Sequence, residues 1–143
     1  MTRALGDGWL LPALDERNRA WFTSGRLGFQ RCSACGRLQH PPEDVCGGCQ
    51  GTRFETRESR GEGRVESVAV VHHAVHPALA DQVPYAVLVV SLDDAPGVHV
   101  VGNGVGAPPD AFAIGRRVRV AFEAVGDAGQ RVLIPQWELP PDA

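Results

Sequence analysis

Cys32, Cys35, Cys46 and Cys49 are the residues of this chain whose type and spacing most directly imply chemistry, and the chain has no other cysteine. They fall as Cys-x-x-Cys, ten residues, Cys-x-x-Cys, a pattern that suits four thiolates closing tetrahedrally on one Zn2+ ion. Two intervening residues let one tight turn aim both sulfurs at a point about 2.3 Å away. Such turns favour glycine. Gly36 follows the first pair, while Gly47, Gly48 and Gly51 lie within and after the second, where backbone with positive φ is expected. Two disulfides would suit a small secreted scaffold, and a redox Cys-x-x-Cys would not explain a second pair so close by. A closed four-thiolate shell keeps no open position for a substrate, so the expected zinc is structural.

Other chemistry-bearing groups weigh less. His72, His73 and His76 cluster where a strand should end, and imidazole titrates near neutral pH. Strand alternation sends His72 and His73 to opposite faces, and no carboxylate stands beside them to orient a ring. His40 lies between the cysteine pairs, but four thiolates already complete a shell, so it reads as a bystander. Gly102-Asn103-Gly104-Val105-Gly106 resembles a phosphate-binding loop without the following helix or the lysine, and reads better as a strand-end loop. All 14 basic residues are arginine, which excludes Schiff-base and lysine-dependent phosphate mechanisms. No catalytic residue is nominated.

The elements that must position these groups follow from periodicity. The spacing predicts a helix from Pro12 to Ser24, with proline in the first turn, Asp15 and Glu16 near its positive end and Gly25 to stop it. Leu14, Trp21 and Phe22 would share one face. Short strands are expected at Gly28 to Arg31 and Arg53 to Thr56 around the cysteines. From Gly61 the pattern turns to period two. Strands are predicted at Gly63 to Val71, Tyr85 to Leu92, Val98 to Val101, Arg117 to Glu123 (Val118, Val120 and Phe122 inward) and Arg131 to Ile134. Pro108 and Pro109 begin a helical or turn-like link between the third and fourth. Five short strands with that break fit a closed OB-type barrel. The expected fold is mainly β: an N-terminal helical segment (1–26), a zinc ribbon (27–60) and a five-stranded barrel (61–143). Trp9-Leu10-Leu11 is far short of a secretory or membrane-spanning run, so cytoplasm is the expected compartment, with no membrane partner.

An ordered series of motifs carries a resemblance. Trp21-Phe22, Gln30-Arg31-Cys32-Ser33-Ala34-Cys35-Gly36, Cys46-Gly47-Gly48-Cys49, Gly61-Glu62-Gly63-Arg64-Val65, Pro84-Tyr85-Ala86-Val87 and Ile114-Gly115-Arg116-Arg117-Val118 succeed one another along the chain. Between about Leu14 and Trp137 it resembles the acyl-CoA-associated family that joins a rubredoxin-like zinc ribbon to an OB-fold, long catalogued as a domain of unknown function. The resemblance implies a non-catalytic accessory subunit in a hetero-oligomer with a thiolase-like enzyme, a thiolase or retro-aldolase. Its setting would be acyl-CoA metabolism, as in steroid side-chain or aromatic acyl-CoA degradation, and an acyl-CoA hydratase is a further implied neighbour. Only the four metal cysteines transfer position by position.

The rival reading is a nucleic-acid-binding zinc-ribbon and OB-fold protein. Residues 62–143 carry five arginines against ten acids, whereas a groove tracking phosphates should be basic and studded with stacking aromatics. Residues 1–61, with nine arginines and seven acids, better suit contacts to a protein or to the phosphates of a CoA thioester held in a complex. The expectation is therefore a protein partner and no nucleic acid.

Overall fold

The computed structural model describes residues 4–5, 11–127 and 129–141. Trp9 and Leu10 lie outside the described residues, as does Ala128 of the turn expected at Gly126 to Gly129. The N-terminal helix is α1, Arg19–Thr23, much shorter than the predicted Pro12 to Ser24. Side chains competing for the backbone explain the difference. The Asp15 carboxylate accepts N–H bonds from Arg17 and Asn18, and Asn18 accepts from the Asp15 N–H and donates to the Ala13 carbonyl. Residues 16–18 are thereby held in a turn, and Pro12 is not a first helical residue. Gly25 does follow the helix with φ +70°, as expected of a stop.

Two sheets follow. The first contains β1 (Leu27–Cys32), β2 (Leu38–Gln39) and β3 (Phe54–Ser59), all antiparallel in the order β2-β1-β3. The second contains β4 (Glu62–Val71), β5 (Tyr85–Leu92), β6 (His99–Asn103), β7 (Arg117–Val125) and β8 (Val132–Glu138), in the order β6-β5-β4-β7-β8. A parallel bridge between Gly104 and Trp137 brings the two ends of that ladder together, so the sheet closes on itself. The link between β6 and β7 contains a single 3-10 turn at Pro109–Ala111. The fold is thus mainly β, a cysteine-bearing ribbon followed by a five-stranded barrel, as the periodicity predicts.

Alternation along β5 is clean: Ala86, Leu88, Val90 and Leu92 are buried and the residues between them half-buried. Glycines make closure feasible. A Cβ at Gly104 would sit 2.6 Å from the Phe112 ring, and one at Gly102 would meet the Pro135 carbonyl at 2.8 Å and the Trp137 indole at 3.0 Å. The Gly102 to Gly106 stretch therefore serves the seam between β6 and β8, in keeping with a strand-end loop. In β7, Val118 is buried and Val120 and Phe122 pack half-buried against the core, while Glu123 and Val125 are buried as well.

Ribbon and barrel share one apolar core. Leu27 and Phe29 of β1 belong to the same buried cluster as Val65, Leu88, Val90, Val118 and Trp137 of the barrel. Asp94, in the turn after β5, fastens the junction: it accepts bonds from the Ser59 hydroxyl (2.6 Å) and the Arg60 N–H (2.9 Å), and its carbonyl accepts from the Arg57 guanidinium. Burial raises the Asp94 pKa, but these donors outweigh it and hold the carboxyl below its ordinary value.

Gly63 marks the tightest approach in the barrel, since a Cβ there would lie 2.2 Å from the Ser91 carbonyl oxygen across the β4–β5 ladder. Backbone on the neighbouring strand cannot swing aside as a side-chain tip can. Gly63→Ala is expected to cost about 3 kcal/mol, the upper end for overpacking, read as a lowered urea midpoint.

Candidate metal centre

β1 ends by delivering Cys32, and the turn after it delivers Cys35. The Gly36 N–H bonds the Cys32 carbonyl (2.9 Å), the Cys32 N–H bonds the Arg37 carbonyl (2.9 Å), and Gly36 takes φ +79°. The second turn repeats the pattern. The Gln50 N–H bonds the Cys46 carbonyl (3.0 Å) and the Cys46 N–H bonds the Gly51 carbonyl (2.8 Å). Here the left-handed residue is Gln50, at φ +60°, and not one of the three glycines. Those glycines supply room and not φ: a Cβ on Gly51 would lie 3.2 Å from the Cys49 sulfur and 3.4 Å from that of Cys32, and one on Gly48 would press on Arg37 at 3.2 Å. The sequence expectation is right for Gly36 and is corrected for the second turn.

Glutamines brace the second turn. Gln39 of β2 accepts the Gly47 N–H (3.1 Å) and donates to Gln30 of β1 (2.6 Å), and Gln30 exchanges bonds with the backbone of Glu43. The four sulfurs consequently lie within 4.8 Å of one another, the one such His/Cys/Asp/Glu group among the described residues. Cys32 and Cys49 sulfurs are 3.5 Å apart and those of Cys35 and Cys46 3.6 Å. A tetrahedral ion with metal–sulfur bonds of about 2.3 Å needs sulfurs about 3.8 Å apart, so the donor set fits it.

The sulfurs are also electronically prepared. N–H groups of Cys49 and then Gly48, the latter 3.3 Å from the sulfur, pull the Cys46 thiol down to about 6 against the opposing effect of burial. The Cys35 N–H is the main influence lowering Cys32. On Cys49 the largest influence, the Gly51 N–H, also lowers, yet sulfur neighbours Cys32 and Cys35, burial and Cys46 together push it up to about 11. The Cys32 and Cys46 thiols are thus drawn down and the Cys49 thiol is pushed up, the divergence expected of interacting thiols that share one site.

The histidines do not join this site. His40 stacks on Trp21 of α1 at 4.2 Å between ring centroids and meets Phe29 edge-on at 5.6 Å, forming part of the contact between helix and ribbon. His72 and His73 are exposed just past β4, and the Nδ1 atom of His76 accepts the Ala78 N–H (3.1 Å) at the start of the 3-10 turn Pro77–Leu79.

Sequence reasoning missed a buried polar group elsewhere. The Glu123 carboxylate accepts N–H bonds from Ala4 (2.9 Å) and Leu5 (3.0 Å) and one from Gln136 (3.1 Å), whose amide oxygen accepts the Asn103 N–H. It ties the N-terminal stretch to the barrel wall. Its cover comes from residues more than a hundred positions away, so nothing local signals it. Beside it lies a mainly apolar cleft of about 510 Å3 bounded by Trp21, Phe22, Tyr85, Val87, Val101 and Pro135.

Comparison with known proteins is consistent with this geometry. The family model for the rubredoxin-like zinc ribbon domain of ChsH2 matches residues 23–55, and that for the C-terminal OB-fold domain of ChsH2 matches 56–123. A probable enoyl-CoA hydratase alpha subunit of Thermomonospora curvata is 41% identical over 110 residues, 75% of this chain but 33% of that one. This chain thus spans about a third of that relative's length. A DUF35 domain-containing scaffold protein of Methanocaldococcus jannaschii is 30% identical over 69% of each chain. Among solved structures, a chain of an Ltp2–ChsH2(DUF35) aldolase superposes with a TM-score of 0.75 at 35% identity, over 90% of this chain and 98% of that one. No described helix is long and apolar enough to cross a membrane.

Two outcomes follow. Cys49→Ser, or prolonged chelation, should abolish metal binding in elemental analysis and lower the stability of the barrel too. Leu27 and Phe29 are each worth about 1.5–3 kcal/mol to the shared core, and both lose their anchor. Burial holds the His40 pKa below the 6.5 of the free side chain, so at intermediate pH only the unfolded chain takes up the proton. Stability from this contact is full above 6.5 and falls as pH drops below it, until the folded value is passed. Melting temperature between about pH 7.5 and 5.5 should show an acid-side decline whose His40 share disappears in His40→Phe.

Proposed function

The chain belongs to the DUF35 family of paired zinc-ribbon and OB-fold proteins, and on that premise we propose that it is a non-catalytic scaffold subunit for a thiolase-like aldolase or thiolase that acts on an acyl-CoA thioester. The observation that carries the reading is the match to the Ltp2–ChsH2(DUF35) aldolase chain, 98% of whose length is covered at 35% identity. A relative 30% identical over 69% of each chain bears the name of DUF35 domain-containing scaffold protein. Within this chain the buried carboxylate Glu123 has its oxygens committed to Ala4, Leu5 and Gln136, and the four cysteines are committed to one another.

The metal in this reading is a structural Zn2+ held by Cys32, Cys35, Cys46 and Cys49. Four sulfur donors at tetrahedral spacing select a thiophilic ion and leave it no substrate position. A second reading, that the enzyme held is a hydratase, is favoured by the name of the Thermomonospora curvata relative. The chain covers a third of that relative, however, and nearly all of the aldolase chain, so the aldolase reading accounts for a more complete match.

Co-expression with the thiolase-like protein encoded nearest to it should yield a complex that survives size-exclusion chromatography and turns over a CoA thioester, while this chain alone turns over none. A neighbour that is fully active alone and never co-purifies would overturn the scaffold reading.

A further inference from the structure

The Gly102 to Gly106 motif places one of the chain's two asparagines directly before a glycine, while the other, Asn18, precedes Arg19. In an unfolded chain Asn-Gly is the asparagine pair most prone to lose ammonia. The glycine nitrogen attacks the asparagine Cγ, and no side chain on the glycine hinders the approach.

Packing at the seam requires this labile pair. Gly104 cannot carry a side chain, because a Cβ there would lie 2.6 Å from the Phe112 ring. Asn103 bonds across to β8 where the two strand ends meet at the Gly104–Trp137 bridge. Its N–H donates to the Gln136 amide oxygen (2.6 Å), its Oδ1 accepts from Gln136 Nε2 (3.3 Å), and its Nδ2 donates to the Ala86 carbonyl (3.1 Å). The Gly104 N–H donates to that same carbonyl (3.1 Å). Nucleophile and target are therefore both tied down: the attacking nitrogen holds its proton against Ala86, and Cγ cannot turn towards it without giving up bonds at both ends of the side-chain amide.

We propose that Asn103 is a site of spontaneous deamidation that the closed seam protects and a loosened seam exposes. When β6 parts from β8, the Gly104 nitrogen gives its proton to solvent base and forms a bond to Asn103 Cγ. The Cγ–Nδ2 bond breaks, ammonia leaves, and water opens the cyclic imide to an aspartyl or isoaspartyl residue; nothing is oxidised or reduced. The product does not restore the seam. Its carboxylate has no hydrogen to offer Ala86, and it adds a negative charge one glutamine away from buried Glu123, since Gln136 Nε2 bonds both side chains. Glu123 holds the Ala4 and Leu5 N–H groups, so the reaction at the seam also loosens the N-terminal stretch. An isoaspartyl link lengthens the backbone as well, moving Gly104 off its bridge with Trp137.

The full chain is incubated in mildly alkaline buffer with and without urea above its unfolding midpoint, and the peptide containing residues 103–104 is followed by mass spectrometry, with isoaspartyl methyltransferase labelling to separate the products. Conversion at Asn103 should be at least ~10-fold slower in the folded chain, where it waits on local opening. Gln136→Ala, which removes the clamp, should speed conversion severalfold in protein that keeps its melting transition. Asn103→Asp should accelerate amide exchange at Ala4 and Leu5 while β5 amides stay protected. Equal conversion with and without urea would overturn the proposal, a comparison that needs no variant. A Gln136→Ala chain that melts normally yet converts no faster would also overturn it, and unchanged exchange at Ala4 and Leu5 in Asn103→Asp would break the link to the N-terminal stretch.

Discussion

β1 answers to two requirements at once. Its end carries Cys32 into the sulfur cluster, while Leu27 and Phe29, two residues apart on one face, sink to 1% exposure in the core shared with the barrel. A ribbon of about thirty residues cannot bury enough apolar surface to fold by itself, and it compensates twice, by drawing metal ligands together and by lending side chains to a larger neighbour. Stacking of Trp21 on His40 then seats the short helix on the same strand pair.

Barrel closure rests on small residues as much as on large ones. Trp137, fully buried, occupies the interior beside the seam, and Gly102 and Gly104 are bare because the indole and Phe112 lie where their side chains would stand. On the outer side of that seam the polar chain Glu123, Gln136 and Asn103 satisfies groups that apolar packing would leave stranded, while holding the N-terminal stretch down.

What could be read from residue order alone divides along physical lines. Tyr85 to Leu92 was fully legible because a continuous β-branched and apolar run has one way to be a strand in a short barrel. The four cysteines were legible because coordination geometry restricts spacing more tightly than packing does. Leu38–Gln39 was not, since two residues make no period and the strand exists only through pairing with Gln30 and Arg31. The last strand runs on through Pro135 to Glu138, where proline signals a break; pairing with β7 carries it past the proline, with Pro135 opposite Phe122. The helix is shorter than its periodicity predicts because Asp15 and Asn18 spend their side chains on nearby backbone. Positive φ at Gln50 shows the limit of assigning turns by counting glycines.

β3 runs from Phe54 to Ser59 and pairs along its whole length with β1, yet the boundary between the two recognised family segments falls between Glu55 and Thr56, inside that strand. A recombination breakpoint there would sever the ladder and strip the barrel of Leu27 and Phe29 together. Heredity can therefore shuffle this pair of folds only as one cassette, grafted whole into longer genes or kept as a gene of its own, and selection sees the ribbon's ligands and the barrel's interior as a single trait.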